Sequence, residues 1–196
     1  GLDMESCYAC PRLCKKIVKI EKPWQVDPIY GGPEYEAIGA LGSDCGVDDV
    51  KAVCKANELC NRYSLDVIST GVSIGFAMEC YEKGILTKKD TDGLDLRFSD
   101  PDIMIKLIHK IGKREGIGNL LAEGTRIVSK KLGKGTEKFA MNVKGLELPC
   151  YDSRAAKLTG LAFATANRGG CHITAFIESP TFLSVPYLLI EESDIG

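Results

Sequence analysis

The chain has 196 residues, 44% of them hydrophobic and 27% charged, with a formal net charge of −2. That composition supports a buried core and carries no basic surplus that would select nucleic acid or an anionic membrane surface. Its nine cysteines are odd in number and mostly scattered, which argues against a secreted disulfide framework and for a reducing, cytoplasmic setting.

In chain order, the first feature is Cys7-Tyr8-Ala9-Cys10-Pro11-Arg12-Leu13-Cys14, three thiols at C-x2-C-x3-C spacing. Thiolates this close suit an iron–sulfur cluster or another soft metal, with a fourth ligand from elsewhere. Structural zinc usually takes two separated ligand pairs, and no second pair follows. Spacing therefore favours iron–sulfur over zinc.

Residues 15–47 are rich in Pro and Gly and read as loop with short elements at most, Trp24 being a packing anchor. Asp48 or Asp49 then caps a helix reaching about residue 63, with Val50, Val53, Cys54, Asn57 and Cys60 on one face. A second helix is predicted over 66–83, stopped by Gly84. Gly71 and Gly75 share a face of it, the pattern of a close backbone approach. Residues 88–98 form a polar loop containing Asp90-Thr91-Asp92-Gly93-Leu94-Asp95. By itself that is an Asx-type turn, although paired carboxylates also accept the amino groups of a heterocycle.

Asp100-Pro101-Asp102 starts a third helix, expected to end at Gly112, with His109 near the negative end of its dipole. A fourth helix is predicted over 119–132, with Leu120, Leu121, Ile127, Val128 and Leu132 inward. A short strand follows over 139–143, then a helix over 154–166 capped by Asp152 or Ser153, then a last helix over 171–178. His172 follows Asn167-Arg168-Gly169-Gly170-Cys171, a setting suited to anion or phosphate recognition. The chain reads as mainly α, with an irregular N-terminal loop. There is no signal-peptide pattern and no apolar run of transmembrane length.

Several of these stretches together resemble the middle and C-terminal helical region of the aldehyde ferredoxin oxidoreductase family. They are Cys7-x2-Cys10-x3-Cys14; Gly32-Pro33-Glu34-Tyr35-Glu36 through Ala40-Leu41-Gly42-Ser43; and Asn57-Glu58-Leu59-Cys60-Asn61-Arg62 with Leu65 to Gly71. Asp90-x-x-Gly93-Leu94-Asp95, Leu121-Ala122-Glu123-Gly124, Val143 to Pro149 and Ala166 to His172 complete the set, in the family's order.

The resemblance implies a [4Fe–4S] cluster beside a tungsten (or molybdenum) held by two pterins. It implies oxidation of an aldehyde to the acid, with electrons leaving through the cluster to ferredoxin. Cys7, Cys10 and Cys14 are the implied cluster ligands. Asp90, Gly93, Leu94 and Asp95 match the first of two pterin motifs, and Arg168 suits a pterin phosphate. His172 and Asp66 are the implied residues near the metal. Some members hold an iron between two subunits through a Glu and a His, for which Glu79 or Glu82 with His109 are the candidates in a homodimer.

On this resemblance the chain divides into a cluster-binding loop region (1–47), a helical domain (48–150) and the truncated start of a further helical domain (151–196). It begins without Met, and the fourth cluster cysteine and an N-terminal β domain are not in it. By itself it is expected to be an inactive, cofactor-free helical piece with a loose thiol loop. Alternatives are a same-scaffold tungsten enzyme that reduces acids or aromatic acyl-thioesters, and a non-enzymatic iron–sulfur or zinc electron-transfer module.

Overall fold

Short polar side chains set the helix starts. The computed structural model describes residues 3–154 and 157–174. Helix α2, Val50–Tyr63, begins where the Asp49 carboxylate accepts from the Lys51 N–H at 2.8 Å. In the same way Asp66 accepts from Ser69 at 2.8 Å to start α3, Val67–Glu82, and Asp100 accepts from Ile103 at 3.0 Å to start α4, Pro101–Lys113. Each such cap is worth about 1 kcal/mol. The expected face of α2 is buried at Val53, Cys54, Asn57 and Cys60, but Val50 is exposed, because the first turn overhangs the core.

A helix also forms inside the stretch read as loop: α1, Tyr35–Leu41. Seven residues are too few for intrinsic stability, so packing holds it. It crosses α3 where that helix has no side chains. A Cβ on Gly71 would fall on the Ala40 carbonyl, and one on Gly75 would lie 2.8 Å from the Asp44 carbonyl oxygen. The close backbone approach expected at these glycines is therefore made by α1 and the 3-10 turn Ser43–Cys45.

The later helices differ from the periodicity in instructive ways. Gly112 does not end α4. It lies within the helix beneath the Tyr63 ring, and the stop is Arg114 at φ +55°. The single helix expected over 119–132 is two, α5 (Ile117–Leu121) and α6 (Thr125–Leu132), broken at Gly124 with φ +80°. Ile127 is exposed as a result. Both helices take their caps from distant carboxylates. Asp92 Oδ2 accepts from the Ile117 N–H at 2.9 Å and also holds Lys110 at 2.9 Å. Glu147 Oε1, buried, accepts from the Thr125 N–H at 2.7 Å and its hydroxyl at 2.9 Å. Glu147→Ala would leave both donors unpaired in the interior and is expected to lower stability by about 2 kcal/mol. Glu147→Gln, which keeps an acceptor, should lose less; denaturant midpoints compare the two.

Only Asn142–Val143 of the expected strand is extended. This β3 pairs with β4, Leu146–Glu147, through a two-residue turn with positive φ at Lys144 and Gly145. Helix α7 is Lys157–Thr165. The helix expected from residue 171 is a turn over 171–174, and its remainder lies outside the described residues. The N-terminal hairpin pairs β1 (Asp3–Glu5) with β2 (Lys15–Ile17).

The core lies among α1 to α6, and Trp24 packs on its edge. Cys45, Cys60 and Cys80 are buried in it as free thiols, Cys54 is buried as a free thiol on α2, and burial pushes Cys60 up to about 12. Among the described residues no helix is long and apolar enough to cross a membrane.

His109 is half-buried, with Nδ1 2.8 Å from the Tyr63 hydroxyl. Burial, reinforced by the charges of Lys113, Lys55 and Arg62, lowers its imidazole below the usual 6.5. Desolvation therefore outweighs the dipole expected to favour its charge. Between the lowered folded value and 6.5 the unfolded chain binds more protons, so stability should fall as pH drops below 6.5. His109→Gln should remove that part of the slope in urea midpoints taken at about pH 7.5 and about pH 5.5.

Candidate functional site

The three clustered cysteines sit on the tip of the β1–β2 hairpin, which the Glu5–Lys15 ion pair closes at 2.9 Å. The loop expected to be loose is thus anchored at both ends. Its turns are local: Cys10 N–H donates to the Cys7 carbonyl at 3.0 Å, and Cys14 N–H to that of Arg12 at 3.2 Å. All three thiols are free and exposed. Three thiolates on one short loop are the donor chemistry of an iron–sulfur cluster. Among the described residues no three His, Cys, Asp or Glu side chains converge on one metal position.

The Asp90 turn is a built element. Asp90 Oδ2 accepts from the Thr87 N–H at 2.9 Å and its hydroxyl at 2.7 Å, and these bonds hold the Asp90 carboxyl below the usual range. Thr91 is buried and its hydroxyl donates to the Leu94 carbonyl at 2.6 Å. Asp95 is lowered by the Tyr81 hydroxyl and then by Arg97, 2.9 Å away. Gly93, at φ +81°, has no atom within 4 Å of the position its Cβ would take, and Leu94 packs on the core. The turn thus presents two ionised carboxylates beside open space, which fits a group rich in N–H donors. Asp66 has its carboxylate at the start of α3 and is exposed.

A cleft of about 890 Å³ opens beside α1, walled by Tyr35, Asp44, Phe76, Phe139, Cys150 and Tyr151 among others. Glu36, on α1, is buried next to Tyr35 and Cys150 of that wall. Glu36 Oε2 accepts from the Cys150 N–H at 2.9 Å. Glu36 Oε1 is buried and has no hydrogen-bond partner among the described residues. His172 Nε2 lies 3.9 Å from that oxygen.

The imidazole is backed by Tyr151, with ring centroids 5.7 Å apart and planes at 22°. Tyr151 in turn meets Tyr35 at 5.4 Å. The loop carrying His172 is docked on the β3–β4 hairpin. Gly169, at φ +100°, lies against the Val143 carbonyl where a Cβ would collide, and Gly170 lies on Leu148.

A buried carboxylate oxygen left unpaired beside an imidazole is costly as structure. As chemistry, a carboxylate oxygen held beside an imidazole is a candidate proton acceptor. Glu36 is absent from the residues picked out on the sequence. It lies in Gly32-Pro33-Glu34-Tyr35-Glu36, but nothing in that stretch says which glutamate is buried: Glu34 is exposed and pairs with Lys16 at 3.1 Å.

The other predicted residues lie elsewhere. Arg168 is exposed and lines a second cleft of about 440 Å³ with Leu161, Thr165, Asn167 and Thr174. Glu79 pairs with Lys83 at 3.4 Å, whereas His109 is bonded to Tyr63. Among the described residues no hydrogen bond or ion pair joins Asp66, the thiol tip or the Asp90 turn to the Glu36–His172 pair.

Comparison with known proteins points the same way. A family model described as aldehyde ferredoxin oxidoreductase, domains 2 and 3, matches residues 2–193. The tungsten-containing aldehyde ferredoxin oxidoreductase of Pyrococcus furiosus is 41% identical over 182 residues, 92% of this chain and 29% of that protein. The enzyme of the same description from Thermococcus kodakarensis is 42% identical over 187 residues, 93% of this chain and 29% of that protein. The WOR-like subunit of an aliphatic sulfonate oxidoreductase from Pyrococcus furiosus is 34% identical over 171 residues, 84% of this chain and 27% of its own length. Among solved structures, the active-site complex BamBC of benzoyl coenzyme A reductase with 1,5-dienoyl-CoA superposes with a TM-score of 0.68. It shows 26% identity over 85% of this chain and 25% of that one. The chain therefore spans 29% of the length of the aldehyde ferredoxin oxidoreductases it matches.

Proposed function

This chain belongs to the aldehyde ferredoxin oxidoreductase family, and on that premise we propose that the whole protein oxidises an aldehyde to a carboxylic acid and passes the electrons to ferredoxin. The observation that carries the reading is the buried Glu36 Oε1, which has no hydrogen-bond partner among the described residues and lies 3.9 Å from His172 Nε2, next to the aromatic wall of the cleft.

Adding water to an aldehyde and removing two electrons gives the acid and two protons. The protein's task is then to hold the carbonyl and move protons. Glu36 Oε1 takes the proton released as water adds to the carbonyl carbon. His172 Nε2 donates to the carbonyl oxygen and keeps it oriented. Tyr151 fixes the plane of the imidazole, and burial keeps bulk water from Glu36 Oε1.

When bound, a tungsten (or molybdenum) pterin supplies the two-electron acceptor and an iron–sulfur cluster the relay to ferredoxin. Cys7, Cys10 and Cys14 are the proposed cluster ligands, on an exposed tip accessible to further ligands from the rest of the protein. Asp90 and Asp95, with Gly93 and Leu94 shaping the turn, are the proposed acceptors for pterin amino groups. Arg168 is the proposed phosphate contact, and Asp66 a second carboxylate serving the metal pocket. Residues 1–47, 48–150 and 151–196 are proposed as the cluster loop, the helical domain and the opening of a further helical unit. Free thiols throughout fit a reducing cytoplasm.

The test is the full-length protein, purified without oxygen. Expected are iron with stoichiometric sulfide, tungsten or molybdenum, and aldehyde-dependent reduction of ferredoxin. Cys10→Ser should lose most of the iron and sulfide. Zinc without sulfide would overturn the cluster assignment.

A second reading, reduction of an aromatic acyl-thioester, draws on the likeness to the benzoyl coenzyme A reductase complex and on the five aromatic residues Tyr35, Phe76, Phe98, Phe139 and Tyr151 in the cleft wall. Turnover of benzoyl-CoA with no turnover of aldehydes would favour it.

A further inference from the structure

We propose that Cys150 is the positioning residue for the Glu36 carboxylate, with Asp44 anchoring its thiol. The inference rests on the catalytic reading of Glu36. Residue 150 is held at four points by α1 and the turn that follows it. Its N–H donates to Glu36 Oε2 at 2.9 Å, and its carbonyl accepts from the Tyr35 hydroxyl at 2.7 Å. Its sulfur seats on Gly39, where a Cβ would collide with it. Its S–H points to Asp44 Oδ2 at 3.7 Å.

Three of these points lie within two turns of α1, so the helix and the peptide at residue 150 are locked in one relative position. The next residue, Tyr151, backs His172. One dipeptide therefore orients both members of the pair: residue 150 through a hydrogen bond to the carboxylate, residue 151 through ring stacking on the imidazole. Without the thiol anchor, the Cys150 N–H is free to drift from Glu36 Oε2, and the carboxylate to rotate its other oxygen away from His172.

The surroundings explain why a thiol suits this position. Burial, then the charges of Asp44 and Glu36, push Cys150 up to about 12, so it stays a neutral S–H donor between two carboxylates. Burial likewise raises Asp44 above the usual carboxylate range. A serine keeps the donor in a smaller group; an alanine removes it.

Two measurements test the proposal. In the full-length holoenzyme, Cys150→Ala is expected to lower kcat about tenfold while KM stays within about twofold, and Cys150→Ser to recover most of the loss. A wild-type kcat in Cys150→Ala, or equal loss in both variants, would overturn it. In cofactor-free full-length protein, mass-mapped alkylation of Cys150 by iodoacetamide should be about tenfold faster in Asp44→Asn, because the thiol loses its anchor and an adjacent negative charge. An unchanged rate would overturn the Asp44 anchor. Full activity in Glu36→Gln would overturn the catalytic reading alone, since the alkylation experiment does not depend on it.

Discussion

Glu36→Gln in the full-length enzyme is expected to lower kcat by roughly 10²–10⁴-fold, the usual loss on removing a general base. The amide is nearly isosteric with the carboxylate. Its oxygen can still accept from the Cys150 N–H, so the packing around α1 should survive and the melting temperature should change little. What disappears is the acceptor at Oε1, buried and unpaired 3.9 Å from His172 Nε2. His172→Gln should lower kcat less and raise KM more, because a neutral donor there can be partly replaced. If Glu36→Gln turns over aldehyde at the wild-type rate, the pair is structural, and the reacting carbonyl must sit elsewhere, with Asp66 the next carboxylate to replace. Steady-state kinetics together with thermal melts separate these outcomes.

The largest expected effect on stability is at Gly71. Here α1 and α3 meet backbone to backbone, and a Cβ would fall on the Ala40 carbonyl. No rotamer change relieves such a contact, because the Cβ position is fixed by the backbone and the carbonyl it meets is main chain. Gly71→Val must push the helices apart, and about 3 kcal/mol or more is expected, at the upper end for overpacking. For a domain of this size that lowers the melting temperature by about 6–12 °C. Activity should fall further than stability, since α1 carries Glu36 and the displacement takes the carboxylate with it. Gly84 is the control. It has positive φ but no atom within 4 Å, so Gly84→Ala should cost only about 1 kcal/mol. Equal losses at the two positions would mean that backbone conformation, not helix contact, dominates at Gly71.

Where a structural decision is local, the residues announce it. Asp49, Asp66 and Asp100 start their helices because a short carboxylate can reach an N–H two or three residues ahead, whatever else surrounds it. The spacing of Gly71 and Gly75 reported a close approach correctly, although not its partner. Where the deciding group is distant in sequence, the same reasoning failed. The start of α6 at Thr125 depends on Glu147, which is 22 residues away, and the start of α5 at Ile117 on Asp92, which is 25 away. Gly112 looked like a stop and is a seat for the Tyr63 ring. Helix α1 was hidden because the glycines in and around it signal loop, and the one inside it, Gly39, makes room for the Cys150 side chain.

The candidate site divides along the same line. Local sequence determined that Cys7, Cys10 and Cys14 share one tip, and that Asp90 and Asp95 share one turn, because ligands a few residues apart are neighbours in any fold. It also singled out His172, through the glycine-rich loop before it. Only the tertiary structure brought Glu36 to His172, across 136 positions of chain. The two are joined through packing: α1 lies on the glycines of α3, the His172 loop lies on the β3–β4 hairpin, and Cys150 and Tyr151 bridge them. A carboxylate becomes a buried, unpaired acceptor when neighbours exclude water from one oxygen and satisfy the other. That is a property of the assembled fold, and no spacing within the sequence encodes it.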